Sequence, residues 1–265
     1  MTKTRILTLV DRRYRAQAQP RGMVAALRDL GADVVVLDDA QVAETNWHDA
    51  LNTTDVAVAR GRKPQTLAAL EFAQHAGLPV VDSAAAVEGV RDKRLMTRTL
   101  LETGVPTPRT IIGSLGRIAC SDLVFPLILK PIFGDNSTGL VIVETPEELS
   151  ALSWPEPEAL AQEYHPNQGA DLKLYVIDGC VTAVRKASPI TPCTSGRLGQ
   201  TELTPELREL AHRCGEAFGL RFYGVDCLEL DGRTEVLEVN EFPNYSSVPY
   251  ASELLALQVL RRAAA

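Results

Sequence analysis

The stretch from Asp226 to Asn240 holds the densest set of side chains in the chain able to do chemistry. Residues two apart on a strand project to one face, so Glu238 and Asn240 stand together while Val239 points the other way. A hairpin at Asp231-Gly232 folds the preceding strand back and brings Asp226 near that pair. Three hard oxygen donors of this kind suit Mg2+, which takes carboxylates together with waters and nucleotide phosphates rather than an all-protein cage. The alternative is a row of ordinary polar residues on the wet face of an antiparallel hairpin, the role expected of Glu229 and Glu235.

Cations precede these oxygens in the chain. Lys130 ends the apolar run Phe125-Pro-Leu-Ile-Leu-Lys130. A lysine in so buried a strand asks for an anion, either a phosphate or an internal Asp or Glu. Four residues on, the segment Gly134-Asp-Asn-Ser-Thr-Gly139 supplies two glycines, the hydroxyls of Ser137 and Thr138, and backbone amides able to wrap phosphate oxygens. The same composition also makes an ordinary turn. Lys93 stands in the first turn of an expected helix, Asp92 to Glu102, where backbone amides favour an anion; its plainer reading is a solvated surface lysine. Gln162-Glu163-Tyr164-His165 ends an apolar strand, either as a hinge against a flat ligand or as an exposed strand end. Asp171, Lys173 and Tyr175 share one strand face. Arg185 and Lys186 face opposite ways, so one of them can serve an anion site while the other meets solvent.

These residues need elements to position them. Arg5 to Val10, Gly22 to Leu30 and Asp33 to Leu37 read as β-α-β; Asp55 to Ala59, Pro64 to His75 and Pro79 to Val81 continue the alternation. That order predicts a parallel sheet covered by helices over residues 1–88. After the Asp92 to Glu102 helix, stopped by Gly104 and two prolines, strands at Arg109 to Ile112, Leu127 to Lys130 and Leu140 to Val143 and a helix at Pro146 to Leu152 form a small α+β unit, 89–158. A proline-containing connector leads to a third unit, 159–265. Its strands are expected at Ala159 to Glu163, Leu172 to Ile177, Val181 to Lys186, Gly224 to Leu230 and Glu235 to Asn240, with helices at Pro205 to Phe218 and Ser252 to Arg262. Asp178-Gly179 is a hairpin signal. The last helix packs either within the chain or against a second subunit.

Composition narrows the partners. With 27 Lys plus Arg against 34 Asp plus Glu, the net charge of -7 gives no electrostatic reason for a nucleic-acid or anionic-membrane partner. The five cysteines include no CxxC pair, and their odd number argues against a disulfide framework, so a cytoplasmic setting is expected. The apolar run Ile6 to Val10 is too brief for a signal peptide, and no stretch is long enough to span a membrane.

Read together and in order, Arg91-Asp92-Lys93, Leu129-Lys130-Pro131, Gln162-Glu163-Tyr164, Asp171-Leu-Lys173, Gly224-Val-Asp226 and Glu238-Val-Asn240 resemble the ATP-grasp superfamily over roughly residues 90 to 245. The resemblance implies an ATP-grasp fold: an N-terminal parallel α/β domain, a small central α+β subdomain and a C-terminal antiparallel-sheet subdomain. It also implies that Lys93 and Lys130 contact ATP phosphates and that the loop carrying Gly134, Ser137, Thr138 and Gly139 closes over them. Glu163 is then expected at the ribose, Gln162 and the Tyr164 backbone beside the adenine, and Asp171 in the nucleotide-binding set. Asp226, Glu238 and Asn240 are expected to hold one or two Mg2+ ions, with Mn2+ able to substitute. Lys173 and Arg185 occupy places where members of the superfamily often meet nucleotide or acceptor, and are the expected catalytic cations.

Within the superfamily, Arg91 to Arg98 and Gly104-Val-Pro-Thr-Pro-Arg109 are most similar to glutamate ligases that modify ribosomal protein or build amino-group-protected lysine precursors. Those are carboxylate-amine ligases, and the resemblance implies that this chain joins an amino acid or other small carboxylate to an amine, both small-molecule substrates, through an acyl phosphate with release of ADP and phosphate. Lys173 to Ile177 and Asn240-Glu-Phe-Pro-Asn-Tyr245 are also similar to inositol phosphate kinases of the same fold, so a kinase acting on a hydroxyl acceptor is the alternative. A non-catalytic nucleotide-binding module is a third reading. Ligases of this kind more often carry small residues after the asparagine, where this chain has Glu241-Phe242-Pro243.

Overall fold

A computed structural model describes residues 3–134, 138–165, 170–188, 190, 198–230 and 232–265. The chain begins β1 (Arg5–Val10), α1 (Ala18–Asp29), β2 (Asp33–Asp38), α2 (Asp39–Glu44), α3 (Trp47–Leu51), β3 (Val56–Arg60), α4 (Pro64–His75) and β4 (Val80–Val81). The four strands form one parallel sheet in the order β2-β1-β3-β4. Its central strands are apolar on both faces, as helices on each side require. The short helix α2 has no apolar periodicity to announce it and forms through its cap. Asp38 accepts the amides of Ala40 and Gln41, and the Gln41 side chain takes the Asp38 amide in return.

Two helices follow, α5 (Ala84–Arg91) and α6 (Lys93–Glu102), then β5 (Thr110–Gly113), α7 (Leu115–Ala119), β6 (Leu127–Lys130), β7 (Val141–Val143), α8 (Pro146–Ala151) and β8 (Ala159–Glu163). The second sheet is antiparallel in the order β5-β8-β6-β7. This corrects the expected boundary at 158/159. Strand β8 pairs with β5 and β6, not with the strands that follow it, because Ala159 and Ala161 complete the core formed by Leu127, Leu129 and Val143.

The third sheet is built from β9 (Ala170–Ile177), β10 (Cys180–Ala187), β11 (Gly199–Gln200), then after α9 (Pro205–Phe218) from β12 (Phe222–Leu230) and β13 (Arg233–Glu241), with α10 (Ala251–Ala263) closing the chain. Its order is β11-β10-β9-β12-β13, all antiparallel. The β9–β10 turn places Asp178 and Gly179 at φ 46° and 87°, the double left-handed turn that suits a two-residue hairpin. Helix α9 fills one face of this sheet through Leu207, Leu210, Cys214 and Phe218. The opposite face meets the first unit: Tyr175, Phe222 and Tyr245 share a core with Met23, Leu27 and Val58, and α10 seals it through Leu255 and Val259. The C-terminal helix therefore packs within the chain, against α1.

Two further contacts aim the site. Helix α6 buries Met96 and Leu100 against the third sheet, and Met96 Sδ accepts the Val239 amide of β13 at 3.3 Å. Burial of such side chains contributes roughly 1.5–3 kcal/mol each. Lys93 lies one turn before Met96 on the same stripe, so packing Met96 carries Lys93 to β13. Beyond β13, Phe242 and Tyr245 adopt φ of 32° and 52°. That conformation costs about 1–2 kcal/mol per residue. Burial of both rings in the shared core offsets it and turns the chain sharply after Glu241.

Candidate active site

The β12–β13 ladder sets Asp226 directly opposite Glu238 and Gly224 opposite Asn240, with a bulge between Asp226 and Cys227. On its other side Asp226 faces Lys173 of β9. Alternation keeps Val239 in the α9 core while Glu238 turns to the cleft between the second and third sheets. Into this cleft and the lobe beside it come cations from three elements. Lys93 Nζ donates to Glu238 Oε1 at 2.6 Å and to the Gly134 carbonyl at 3.2 Å; Lys173 Nζ donates to Asp226 Oδ2 at 2.9 Å. Lys130 Nζ donates to Gln162 Oε1 at 2.6 Å, and Gln162 Nε2 passes the chain on to Thr110 Oγ1 at 2.9 Å.

Lys93 is only 5% exposed, which excludes the solvated-lysine reading. Its position follows from the helix start: Asp92 caps α6 by accepting the Arg94 amide at 2.8 Å, and the Lys93 amide donates to the Ile132 carbonyl beyond β6. Burial pushes Lys130 down from 10.5 to about 8, against the attraction of Glu238 and Asp226 and with the repulsion of Lys93 adding to it. Burial likewise lifts the Asp226 carboxyl, against the pull of Lys173. Of the two anions the sequence left open for Lys130, no Asp or Glu among the described residues bonds it directly. A phosphate entering the cleft would meet a recessed ammonium held by a neutral amide.

The same cleft is lined by Gly134 and Thr138 on one side, by Gln162, Glu163 and Tyr164 on another, and by Asp171. Ile128, Leu140 and Leu237 give it apolar walls, which suit a flat aromatic base. Gly139, at φ 77°, packs against Pro131, where a side chain would collide. Ser137 lies outside the described residues. Glu163 Oε1 accepts the Val124 amide at 3.1 Å. The Tyr164 amide donates to the Pro126 carbonyl at 2.8 Å, so the expected contact of the Tyr164 backbone with a base does not involve its N–H.

Arg185 is a correction. In the β9–β10 register Arg185 pairs with Leu172 and Lys186 with Asp171, and partners in a ladder share a face. Arg185 therefore projects to the α9 side with Leu172, where it meets Glu229 at 2.5 Å. Lys186 takes the cleft side, 5.1 Å above the Tyr175 ring.

Asp226 and Glu238 also border a second lobe, which contains Lys173 and Asn240 and is walled by the first unit through Gln17, Arg60 and Arg62. Arg62 Nε and Nη2 reach Glu241 Oε1 at 2.8 and 2.7 Å. Burial raises the Glu241 carboxyl, and the charges of Arg62 and then Arg60 work against that. The sequence reading passed over Arg60, Arg62, Glu241 and Gln17. A signal existed: Arg60-Gly61-Arg62 follows directly on a buried parallel strand, and ligands of open α/β sheets gather at such strand ends.

Asp226, Glu238 and Asn240 border one lobe with two carboxylates and an amide oxygen, a hard donor set that fits a divalent cation sharing its shell with phosphates and water. Among the described residues no group of three or more His, Cys, Asp or Glu forms a self-sufficient metal site. Among them, too, no helix is long and apolar enough to cross a membrane.

A model of the RimK-like ATP-grasp domain matches residues 90–260. The tetrahydromethanopterin:α-L-glutamate ligase of Methanocaldococcus jannaschii is 27% identical over 194 residues, covering 67% of each chain. A probable α-L-glutamate ligase of Parasynechococcus marenigrum is 28% identical over 192 residues, covering 66% of this chain but 41% of the relative, so the chain spans less than half of that protein. Among solved structures, the RimK-domain ATP-grasp protein of Sphaerobacter thermophilus superposes with a TM-score of 0.75 at 21% identity, over 97% of this chain and 100% of the other. The D-alanine–D-alanine ligase of Bacillus anthracis gives 0.73 at 19% identity, over 98% and 97%. These two likenesses establish the fold.

Proposed function

The chain belongs to the RimK-like ATP-grasp family, and from that membership we propose that it is an ATP-dependent carboxylate-amine ligase working through an acyl phosphate. The observation that carries the reading is the meeting of Lys93, Lys130, Asp226 and Glu238 at one cleft with apolar walls. The family uses ATP and a divalent metal, and Mg2+ suits this donor set. The curated relatives named above are ligases, and the kinase alternative is not favoured.

In this reading the cleft holds ATP with its base between Ile128, Leu140 and Leu237 and its phosphates toward Lys93, Lys130, Gly134 and Thr138. A substrate carboxylate attacks the γ-phosphorus in line, ADP leaves, and an amine then displaces phosphate from the acyl carbon. Asp226, Glu238 and Asn240 would hold a divalent cation, whose chemistry when bound would be to neutralise charge on the phosphoryl oxygens. The protein provides no covalent nucleophile. Lys93 and Lys130 orient the phosphates and balance the charge that builds on them, while Gln162 holds Lys130 in position. Lys93 and Lys173, paired with Glu238 and Asp226 without nucleotide, keep those carboxylates from standing buried and unpaired.

The test is stoichiometric. With ATP labelled in the γ-phosphoryl group, Mg2+, a panel of carboxylates and hydroxylamine as a general amine, a ligase releases labelled phosphate and forms a hydroxamate. Label retained on an acceptor hydroxyl would replace this reading with the kinase one.

A further inference from the structure

A third cavity, of about 160 Å3, lies where the first unit, the third sheet and α10 meet, and shares no lining residue with the cleft or the second lobe. Val81 at the end of β4 and Phe222 at the start of β12 give it an apolar lining. Its charged border is uneven: Arg221, Arg261 and Arg262 stand there against the single carboxylate of Asp178. That carboxylate is already engaged. Oδ1 accepts from Arg221 Nη1 at 2.7 Å and Oδ2 from the Gln258 amide at 2.8 Å, while the Gln258 oxygen accepts from Arg261 Nη1 at 3.2 Å. Arg262 is left over: its Nε is a buried donor without a hydrogen-bond partner among the described residues.

Arginines in the last turn of a helix complement its dipole, and that suffices for Arg261, which is exposed. It does not suffice for Arg262. A guanidinium stays charged at every accessible pH, and a buried N–H of a charged group is costly to leave unbonded. The surroundings hold this donor in place: Asp82 accepts the amides of Arg221 and Phe222 at 2.8 and 3.1 Å, and α10 is anchored one turn earlier by Leu255 and Val259 in the shared core. A cavity of about 150 Å3 admits a benzene-sized ring. A cation without its anion, beside apolar surface and room of that size, is complementary to a small organic anion.

We propose that this cavity binds a small organic anion, a phosphate monoester or a carboxylate, whose charged head takes the Arg262 Nε–H beside the Arg221 guanidinium and whose apolar body lies against Val81 and Phe222. The ligand then touches β4 of the first unit, β12 of the third sheet and α10 together, and fastens the units to one another. Phe222 pairs with Ile177 two residues along the ladder from the Gly224–Tyr175 pair, which borders the second lobe. Occupancy therefore acts on the reacting groups from the far end of the shared core, through the docking of the first unit, and takes no part in the chemistry. The site is independent of the ligase reading.

Binding is measured by calorimetry on the full chain, with the nucleotide cleft filled by a non-hydrolysable ATP analogue and Mg2+. The probes are phenyl phosphate and benzoate, with inorganic phosphate as the head alone and benzyl alcohol as the uncharged ring. At least one of the two ring anions binds with a Kd of about 1 mM or tighter, at least tenfold more tightly than phosphate and than the alcohol, and raises the melting temperature. Which of the two binds distinguishes a phosphate head from a carboxylate. Arg262→Met keeps the apolar stem and removes the unbonded donor: it weakens the anion at least tenfold, leaves the nucleotide Kd within twofold, and leaves the free protein as stable as the parent, which loss of a structural contact would not. Arg221→Gln weakens the anion as well and covers the case in which Arg262→Met fails to fold. The site is overturned if neither ring anion binds, if benzyl alcohol binds as tightly as they do, or if the folded variants bind the anion at parental strength.

Discussion

Raising the pH from 7 to 9 weakens nucleotide binding about tenfold, and Lys130 is the cause. In the free protein burial holds this ammonium at about 8 instead of 10.5. A nucleotide phosphate beside it favours the charged form and returns it toward its ordinary range. Binding above pH 8 therefore requires the uptake of a proton. The fraction of free protein ready to bind scales as the inverse of one plus ten to the power of pH minus 8, a factor of about 1.1 at pH 7 and about 11 at pH 9. Their ratio is about ten, or about 1.4 kcal/mol of binding free energy.

The sign in the unliganded protein is opposite. A lysine depressed on folding destabilises the native state while charged. At neutral pH that penalty is roughly 3 kcal/mol, and it is relieved as pH rises from about 8 to 10.5. Calorimetric titration of MgADP at half-unit steps gives the binding curve, with Lys130→Met as the control that cancels every other titrating group. The expected result is a tenfold loss of affinity in the parent and a flat, weaker profile in Lys130→Met. A flat parental profile, or the full slope surviving in the variant, would refute the placement of Lys130 against phosphate.

Three more outcomes are expected. Glu238→Ala lowers acceptor-dependent ADP formation by at least about a hundredfold with an unchanged circular-dichroism spectrum, since it removes a charged oxygen donor from the phosphoryl end; a parental rate would disprove the metal-ligand role. Arg185→Ala changes kcat/KM less than about threefold, because its partner Glu229 lies on the α9 side of the sheet, and a hundredfold loss would return Arg185 to the cleft. Asp82, buried and bonded to the amides of Arg221 and Phe222, is lifted by burial from 3.8 to about 7. The folded state thus holds a proton that the unfolded chain has released, and stability falls by up to about 1.4 kcal/mol per pH unit from pH 4 to 7. Urea denaturation of Asp82→Asn across that window tests this: the slope flattens, and an unaltered slope would assign it to another group.

Much of the architecture could be read locally because it is specified locally. The β-α-β alternation of the first unit, the Asp178-Gly179 hairpin and the Pro205 to Phe218 helix all rest on periodicity, caps and turn residues a few positions apart. Helix α2 escaped notice because its stability resides in one reciprocal cap and not in an apolar stripe. Strand β8 was assigned to the wrong unit because its neighbours in the sheet, β5 and β6, precede it, and pairing is chosen by the core that the strand completes.

The same division governs the site. By itself the sequence determined that Glu238 and Asn240 share a face, that a hairpin returns Asp226 to them, and that Lys130 ends a buried strand; each follows from the twofold period of a strand or from a turn. Only the tertiary structure decided that Lys93 meets Glu238 across 145 residues and that Arg62 meets Glu241 across 179. It alone placed Arg185 and Lys186 on their respective faces. Those outcomes depend on strand register and on the docking of separate units, which are set by the composite cores beneath them, and no short-range pattern encodes which buried surfaces will fit together.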